Sequence, residues 1–284
     1  MTTLATWVGI DQRAPASIYI VSDSRLTLIG GGRSRVLTNE GRKVFACRDE
    51  PHIFGFWGQV AFPTRVLTEA LLAIDDGKLF QDSHNAVTRQ ALFEEYVISR
   101  LEKQLRVASA SNTVEFAILH ATREGVGMAS VFHLWILGWK PDEGWHIRER
   151  ELPQQSEVLY AGGSGADAFL QRDASWKDSE IGRTSRGVFS AFVEALQEKY
   201  DELSGGAPQL AGLFRKGRPI EFGIVYENKR YWRGKRVALV DVPGDLEWFN
   251  RLFERTDPQT LKRIPEAQRH AAPSWLRPYK PRAS

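Results

Sequence analysis

The chain has 284 residues, 42 % hydrophobic and 26 % charged, which is an ordinary composition for a globular protein. Its net charge of +3 arises at the end of the sequence. Asp257–Ser284 carries a net +4, so the remainder carries −1 and no nucleic-acid-binding face is expected. The single cysteine, Cys47, excludes an internal disulfide framework, and no apolar run reaches the ~18 residues of a membrane helix. No signal peptide is recognised before Thr2, and we expect a soluble, cytoplasmic protein.

The first part of the chain predicts two β-hairpins followed by two helices. Alternating apolar residues bounded by turn residues indicate the strands, and apolar residues at helical spacing indicate the helices. The glycine-rich segment Ile29–Ser34 is predicted to be a flexible loop, not a phosphate-binding loop, because no Lys-Ser/Thr follows it. The predicted strands are Leu4–Ile10, Ser17–Asp23, Arg42–Arg48 and His52–Trp57, and the predicted helices are Phe62–Asp75 and Asn85–Ala108.

The second part repeats this order of strands and then helices. Four strands are predicted first, at Thr113–Thr122, Gly127–Trp139, Gly144–Glu149 and Glu157–Ala161. Helices beginning at Ala166 and spanning Ser185–Leu203 come next, before strands at Glu221–Glu227, Lys229–Trp232 and Val237–Val242 and a short amphipathic helix at Leu246–Phe253. Helix pairs that alternate with antiparallel strands predict an α+β fold with two sheets layered between helices.

Two regions are predicted from this pattern. Residues 1–242 would form the main domain, and residues 243–284 would add a helix and a basic, proline-rich arm. Five prolines among basic residues in Asp257–Ser284 favour an extended or partly disordered arm.

Thr2 combines two chemical groups once Met1 is removed. Its hydroxyl is a nucleophile, and its α-amine, with an unperturbed pKa of about 7.7–8.0, is a general base for that hydroxyl near neutral pH. A Met-Thr start alone is explained as simply by an ordinary strand beginning, so the hypothesis needs supporting residues elsewhere.

Supporting motifs occur at the ends of the predicted elements. In chain order they are Thr2-Thr3, Ser22-Asp23-Ser24-Arg25, Lys43, Gly58, Gly163-Ser164-Gly165 and Asp201-Glu202-Leu203-Ser204-Gly205-Gly206. Each one alone is explained by a turn, a solvated lysine or a helix stop. Together and in this order they resemble the proteasome-like family of amino-terminal-threonine hydrolases, which includes proteasome β subunits and the HslV and Anbu peptidases. The resemblance spans about Thr2 to Trp232.

This resemblance implies a four-layer αββα Ntn-hydrolase fold and a set of roles. Thr2 would attack through Oγ, Lys43 would lower the pKa of the neighbouring hydroxyl and amine, and Asp23 would keep Lys43 charged. The Gly58 N–H would stabilise the oxyanion. Ser164, Asp201 and Ser204 would surround the terminal amine, and the reaction would pass through an acyl ester on Thr2.

The resemblance also implies contacts to a substrate. Thr27 would hold the substrate backbone, and the pocket for the residue before the scissile bond would be apolar. The implied pocket residues are Leu26, Gly41, Phe45, Phe56 and Val60. For Phe45 and Phe56, an ordinary core position is an equally good interpretation.

Three functions fit these residues. The first is a threonine peptidase that acts on peptides or unfolded proteins within a homo-oligomeric ring, with an ATP-dependent unfoldase as a candidate partner. The second is a non-catalytic scaffold subunit, and the third is an Ntn amidase acting on a small amide. No cofactor or metal is expected, because the six histidines lack metal-ligand spacing. Cys47 is expected to be a small buried apolar residue. The intervals from Thr2 to Asp23 and from Asp23 to Lys43 are longer than the family pattern, both within loops.

Overall fold

The computed structural model describes residues 2–30, 33–107 and 115–267, and within them the protein is α+β. The helices are α1 (Ala61–Asp75), α2 (Ala86–Val107), α3 (Ala166–Lys177) and α4 (Ser185–Gln197). None of these helices, nor any other in the described ranges, has the length and apolarity needed to cross a membrane.

The strands form two large sheets and a separate hairpin. In chain order they are β1 (Leu4–Ile10), β2 (Pro15–Ser22), β3 (Leu26–Gly30), β4 (Arg33–Thr38), β5 (Val44–Ala46), β6 (His52–Gly58), β7 (Phe116–Glu124), β8 (Val131–Lys140), β9 (Gly144–Glu149), β10 (Glu157–Gly162), β11 (Gln209–Phe214), β12 (Ile220–Tyr226), β13 (Lys229–Trp232), β14 (Lys235–Arg236) and β15 (Trp248–Phe249). The first sheet has the order β10-β1-β2-β11-β12-β13-β14, with β15 added to β12, and the second has the order β5-β6-β7-β8-β9. Strands β3 and β4 pair only with each other.

Strand β1 is buried on both faces of the first sheet. Its side chains alternate because successive residues of a strand point to opposite faces. Leu4 and Val8 enter one hydrophobic cluster, while Ala5 and Trp7 enter another. Strands β10 and β2 hydrogen-bond to its two edges, and the two clusters cover its two faces. Strand β1 is therefore enclosed directly after Thr2.

Three hydrophobic clusters hold the elements together. One contains side chains of α1 and α2 with β5–β8, and a second contains side chains of α3 and α4 with the first sheet. The third joins the two sheets through residues such as Ile20 and Leu119. Burial of each large apolar side chain stabilises the fold by about 1.5–3 kcal/mol.

Most predicted elements are present with shifted ends, but helix α4 is shorter than predicted. It ends at Gln197 and not at Leu203. Lys199 adopts a left-handed backbone conformation with φ of 54°, which a continuing helix excludes. The freed segment then forms a turn in which the Asp201 carboxylate accepts from the Leu203 N–H at 3.0 Å. The helical spacing of apolar residues therefore extended one turn beyond the helix.

The prediction of a flexible loop at Ile29–Ser34 is wrong, because its flanks are paired in the β3–β4 hairpin. Among the hairpin residues whose side chains the structure describes, the apolar Leu28, Val36 and Leu37 are exposed. A strand without a buried face has no alternating pattern to detect, which explains the error.

Strand β11 was not predicted, although it lies between β2 and β12 inside the first sheet. Its sequence, Gln-Leu-Ala-Gly-Leu-Phe, does not alternate, since both faces of the strand are covered and its first five residues are buried. A short run of this kind is typical of a fully buried strand and is easily missed beside a glycine-rich turn.

Two predictions after Trp232 are also wrong. Within Val237–Val242 the chain forms a short 3-10 helix at Leu239–Asp241, not a strand. Leu246–Phe253 contains β15 and a turn, not a helix, and the left-handed conformation of Phe253 (φ of 56°) is incompatible with a helix there. The predicted boundary at residue 242 stays a prediction, and residues 268–284 of the predicted arm lie outside the described residues.

Candidate active site

The predicted site residues lie where strands and helices begin or end. Thr2 precedes β1, Asp23 follows β2, Lys43 precedes β5, and Gly58 ends β6. Ser164, Asp201 and Ser204 lie in the turns that connect β10 with α3 and α4 with β11. These ends carry backbone groups outside the regular hydrogen-bond ladders, so polar side chains are used to satisfy them.

Thr2, Asp23 and Lys43 are in direct contact and have no solvent exposure. Lys43 Nζ donates to Thr2 Oγ1 at 3.0 Å and to Asp23 Oδ1 at 2.6 Å. The sequence separates these residues by up to 41 positions, so the contact is made by the fold and not by local structure. The structure therefore brings a hydroxyl, an ammonium and a carboxylate together, and their catalytic roles stay a prediction.

The electrostatics of this trio are those of a buried ion pair. Burial lowers the pKa of the Lys43 ammonium, since leaving water disfavours the charged form, and the Asp23 carboxylate is the largest opposing influence. An ammonium with a lowered pKa beside a hydroxyl stabilises negative charge that develops on the oxygen. The trio can therefore assist a nucleophilic Thr2 Oγ.

Asp23 is held by backbone groups as well as by Lys43. Its Oδ1 accepts from the Thr3 N–H at 3.2 Å, and its Oδ2 accepts from the N–H groups of Gly205 and Arg25 at 2.9 and 3.1 Å. These three backbone donors fix the orientation of the carboxylate. They also connect the end of β2 to the turn that contains Ser204.

Ser164, Asp201 and Ser204 form a second hydrogen-bonded group. Both serine hydroxyls donate to Asp201 Oδ2 at 2.6 Å, although Ser164 and Asp201 are 37 residues apart. Thr3 Oγ1 donates to Ser204 Oγ at 2.8 Å and so connects this group to the residue next to Thr2. Thr3 was not assigned a role from the sequence. A role for the group around the Thr2 amine stays a prediction.

Two glycines at the site have conformations and contacts that exclude a side chain. Gly58 has φ of +92°, and a Cβ there would lie 2.2 Å from the Glu115 carbonyl oxygen. Gly163 has φ of +88°, and a Cβ there would lie 2.0 Å from the Thr2 carbonyl oxygen. The chain after β10 therefore approaches Thr2 so closely that only glycine fits. The oxyanion role of Gly58 stays a prediction.

The predicted substrate contacts divide into two groups. Leu26 and Val60 line a cavity of about 400 Å³, and Gly41 packs so tightly against Leu26 that a Cβ would lie 2.3 Å from Leu26 Cγ. Phe45 and Phe56 instead lie fully buried in the cluster with α1 and α2, as in the alternative interpretation. The remaining predicted contact, Thr27, donates from Oγ1 to the Leu203 carbonyl oxygen at 3.4 Å.

A larger cavity of about 680 Å³ is lined by one of the predicted pocket residues, Phe45. It is bounded by α1, β5 and the turn before β12, and Thr2 does not line it. Arg42 lines both cavities, with its guanidinium over the Phe45 ring and paired with Glu221 at 2.6 Å. Neither cavity is lined by Thr2, Asp23 or Lys43. The 400 Å³ cavity is lined by two of the predicted pocket residues, Leu26 and Val60, and is therefore the better candidate for a substrate pocket.

Metal and thiol chemistry have separate evidence. Among the described residues, no group of three or more His, Cys, Asp or Glu side chains is placed to hold a metal ion. Cys47 is buried in the cluster with α1 and α2, as predicted, and burial raises the pKa of its thiol well above the ordinary value. A thiol in that environment is a poor nucleophile, because the reactive thiolate is disfavoured.

One residue that makes several contacts with this site was not predicted from the sequence. Gln209, the first residue of β11, is buried. Its side chain accepts from the Lys43 N–H and donates to the carbonyl oxygens of Asp23 and Gly41. The available signal was a polar residue at the start of an apolar run, directly after the Ser204-Gly205-Gly206 turn.

Comparison with known proteins gives structural similarities only. No protein-family model and no curated protein matches the sequence. The structure is similar to that of eukaryotic HslV from Trypanosoma brucei, with 15 % identity and a TM-score of 0.43 over 74 % of this chain and 99 % of that chain. It is also similar to BPH of Thiobacillus denitrificans in complex with epoxomicin, with 17 % identity and a TM-score of 0.44 over 76 % of this chain and 100 % of that chain. HslV was among the proteins that the sequence motifs resemble. At these values, neither similarity transfers an activity to this chain.

Proposed function

We propose that this chain is a threonine-type peptidase whose nucleophile is Thr2, exposed by cleavage of the Met1–Thr2 peptide bond. One observation carries the proposal: with no solvent exposure, Lys43 Nζ lies 3.0 Å from Thr2 Oγ1 and 2.6 Å from Asp23 Oδ1. A buried ion pair is weak evidence for stability, because desolvation offsets its attraction. Strongly perturbed buried charges beside a nucleophile are typical of functional sites.

The proposed reaction is acyl transfer followed by hydrolysis. The free α-amine of Thr2 takes the Oγ proton while Oγ attacks the substrate carbonyl carbon, with Lys43 stabilising charge on Oγ. The Gly58 N–H stabilises the resulting oxyanion. The tetrahedral intermediate collapses, the peptide C–N bond breaks, and the leaving amine takes the proton from the Thr2 amine. Water then attacks the ester and releases the acid, which restores the hydroxyl.

The proposed substrate is a peptide with an apolar residue before the scissile bond. Leu26 and Val60 supply apolar lining to the 400 Å³ cavity, while Arg65 and Glu69 supply its polar lining. A small-amide hydrolase would use the same chemistry, so a panel of short peptides and simple amides separates these two alternatives. A scaffold subunit would process neither.

The proposal also covers the layer arrangement of the fold, its assembly and its location. The three hydrophobic clusters support a four-layer αββα arrangement. The exposed Leu28, Val36 and Leu37 of the β3–β4 hairpin support self-association into a ring. We place the enzyme in the cytoplasm with peptide or unfolded-protein substrates and an ATP-dependent unfoldase as its candidate partner.

Mass spectrometry of the untagged protein before and after treatment with a peptide epoxyketone tests the proposal. This reagent requires an α-amine and a hydroxyl on one residue, so we expect Met1 to be absent and one adduct on Thr2. Thr2→Ser should retain the adduct and Thr2→Val, which keeps the shape, should lose it. A second preparation, released from a cleavable fusion with Thr2 first, separates absent processing from absent chemistry. Folded protein that begins at Thr2 and forms no adduct contradicts the proposal.

A further inference from the structure

The buried carboxamide of Gln209 joins the two chain segments that carry Asp23 and Lys43. Its Oε1 accepts from the N–H groups of Lys43 and Val44 at 2.8 and 3.0 Å. Its Nε2 donates to the carbonyl oxygens of Asp23 and Gly41, both at 2.9 Å, and to Ser24 Oγ at 3.2 Å. One side chain that is 2 % exposed therefore makes five hydrogen bonds.

The partners of Gln209 determine which way its carboxamide faces. Two backbone N–H groups on one side require an acceptor, and two carbonyl oxygens on the other side require a donor. A flipped carboxamide would place N–H against N–H and oxygen against oxygen. Both halves of the group are thus used, and no apolar or purely accepting side chain of the same length satisfies all of these partners.

These bonds connect the two large sheets. Gln209 is fixed to the first sheet, where its backbone pairs with Ser22 directly before Asp23. Lys43 precedes β5, the edge strand of the second sheet. The spacing between Asp23 and Lys43 therefore depends on how the sheets are joined here, and Gln209 supplies this connection together with the Gly41 N–H, which donates to the Ser24 carbonyl oxygen at 2.8 Å.

We infer that Gln209 is a positioning residue for the Thr2 reaction, which holds Lys43 at hydrogen-bond distance from both Asp23 and Thr2. The inference rests on the proposed function. Gln209 does not contact the nucleophile in this arrangement; it acts through the backbone of Lys43. Removing its carboxamide takes away the Oε1 acceptor that the Lys43 and Val44 N–H groups share, so the start of β5 shifts and carries Lys43 Nζ away from Thr2 Oγ1.

The experiment compares Gln209→Met with Gln90→Met. Gln90 is an equally buried glutamine, 3 % exposed, that hydrogen-bonds His120 from α2. The probe is a peptide epoxyketone, and the readouts are the limiting rate of adduct formation on Thr2 and the concentration that gives half of it. We expect Gln209→Met to lower the limiting rate by about 10²-fold, the effect of misplacing a catalytic group by about 1 Å, with little change in the half-saturating concentration. Gln90→Met should change neither value.

Gln209→Glu gives a pH signature that a merely structural role would not produce. Its protonated carboxyl keeps an acceptor for the Lys43 and Val44 N–H groups and donates one O–H to a carbonyl. Its ionised form directs a charged oxygen at two carbonyl oxygens. The rate of Gln209→Glu relative to the unsubstituted protein should therefore rise as pH falls, whereas the relative rate of Gln209→Met should stay constant.

Each outcome separates this inference from the proposed function. A limiting rate for Gln209→Met equal to that of the unsubstituted protein, or an equal loss in Gln90→Met, overturns the role of Gln209 while leaving the peptidase intact. If the unsubstituted protein forms no adduct, the proposed function fails. A crystal structure of Gln209→Met then decides the inference, because an unchanged 2.6 Å separation between Lys43 Nζ and Asp23 Oδ1 overturns it. Should Gln209→Met fail to fold, Gln209→Glu supplies both readouts.

Discussion

Two of the polar clusters buried among the described residues differ in whether they contain a charged pair. The trio of Thr2, Asp23 and Lys43 contains an ion pair. The second cluster, His52 and His120 with Gln90, joins β6 and β7 to α2 without an ion pair between its members. Both histidines are fully buried, as the trio is. Burial of polar groups therefore does not by itself mark the candidate active site.

The histidine cluster is an ordered chain of donors and acceptors. Gln90 Nε2 donates to Glu94, so Gln90 Oε1 accepts from His120 Nδ1 at 2.6 Å. His120 Nε2 is then the acceptor for His52 Nδ1 at 2.9 Å, and His52 Nε2 accepts from Arg89 at 3.3 Å. Both rings are thereby fixed as neutral tautomers. Burial lowers the pKa of His120 to about 3 and that of His52 well below its ordinary value.

The two clusters differ in how their polar groups are satisfied. In the histidine chain each ring nitrogen already has a partner, and charge is disfavoured. In the trio a charged donor is retained at the expense of desolvation, and it is directed at a hydroxyl. A retained charge beside a nucleophile is the feature that favours chemistry.

Removing Lys43 should have the largest effect. Lys43→Met eliminates the ammonium beside Thr2 Oγ1, so we expect adduct formation with a peptide epoxyketone to fall about 10²–10⁴-fold, the range for a positioned proton-transfer or charged group. It also leaves Asp23 buried without its partner, which should lower the free energy of unfolding by about 3–5 kcal/mol in urea denaturation. Lys78→Met, in an exposed ion pair, is the matched control and should change neither value. Near-normal labelling of Lys43→Met would remove the distinction between the two clusters.

The double variant Lys43→Met/Asp23→Asn should separate stability from activity. Removing the carboxylate charge as well should make it more stable than additivity of the single changes predicts, with a coupling of about 0.5–3 kcal/mol in urea denaturation. The double variant should still have a lower free energy of unfolding than the unsubstituted protein, because Asp23 also accepts from backbone N–H groups that an amide satisfies less well. Labelling of Thr2 should stay as low as in Lys43→Met. Strict additivity of the two substitutions would contradict the ion pair.

The histidine cluster should make the free energy of unfolding depend on pH, with a smaller effect than the removal of Lys43. Because the folded-state pKa values lie below the ordinary 6.5, the unfolded chain binds more protons between pH 6.5 and about 3. This stability is fully present above pH 6.5 and is lost as pH falls toward 3. At pH 5 the loss from His120 should be about 2 kcal/mol, with His52 acting in the same direction, measured as the free energy of unfolding in urea at pH 7.5, 6 and 5.

Two variants test whether His52 and His120 cause this pH dependence. His52→Gln/His120→Gln should flatten the profile, whereas His133→Gln, at a partly exposed histidine paired with Glu149, should retain it. An unchanged slope in the double variant would show that other groups cause the acid sensitivity.

Much of the candidate site could be predicted because its residues lie in short motifs at element ends. Asp23, Lys43 and Ser204 each follow or precede a strand or helix whose periodicity is visible in the sequence. The fold brings Asp23 and Lys43 into contact with Thr2, and Ser204 into contact with Asp201. The α+β class followed from the same periodicity.

The rest depended on tertiary contacts that leave no local pattern. Gln209 was missed together with β11, since a strand covered on both faces lacks alternation. The pairing of His52 with His120 joins residues 68 apart, and neither has a neighbour in sequence that indicates it. Phe45 and Phe56 could not be assigned, because a pocket wall and a core wall have the same apolar composition.

The position of β11 has a consequence for synthesis of the protein on the ribosome. Thr2, Asp23 and Lys43 are made early, but β2 has no neighbour on its second edge until β11 is available. The Lys43 backbone likewise has no Gln209 carboxamide, and Asp23 has no Gly205 N–H, until residues 205–209 have left the exit tunnel. Contacts so distant in sequence form late. A nascent chain therefore contains Thr2 long before residues 205–209 can make their contacts with Asp23 and Lys43, so the surroundings of the trio are completed only after β11 has been made.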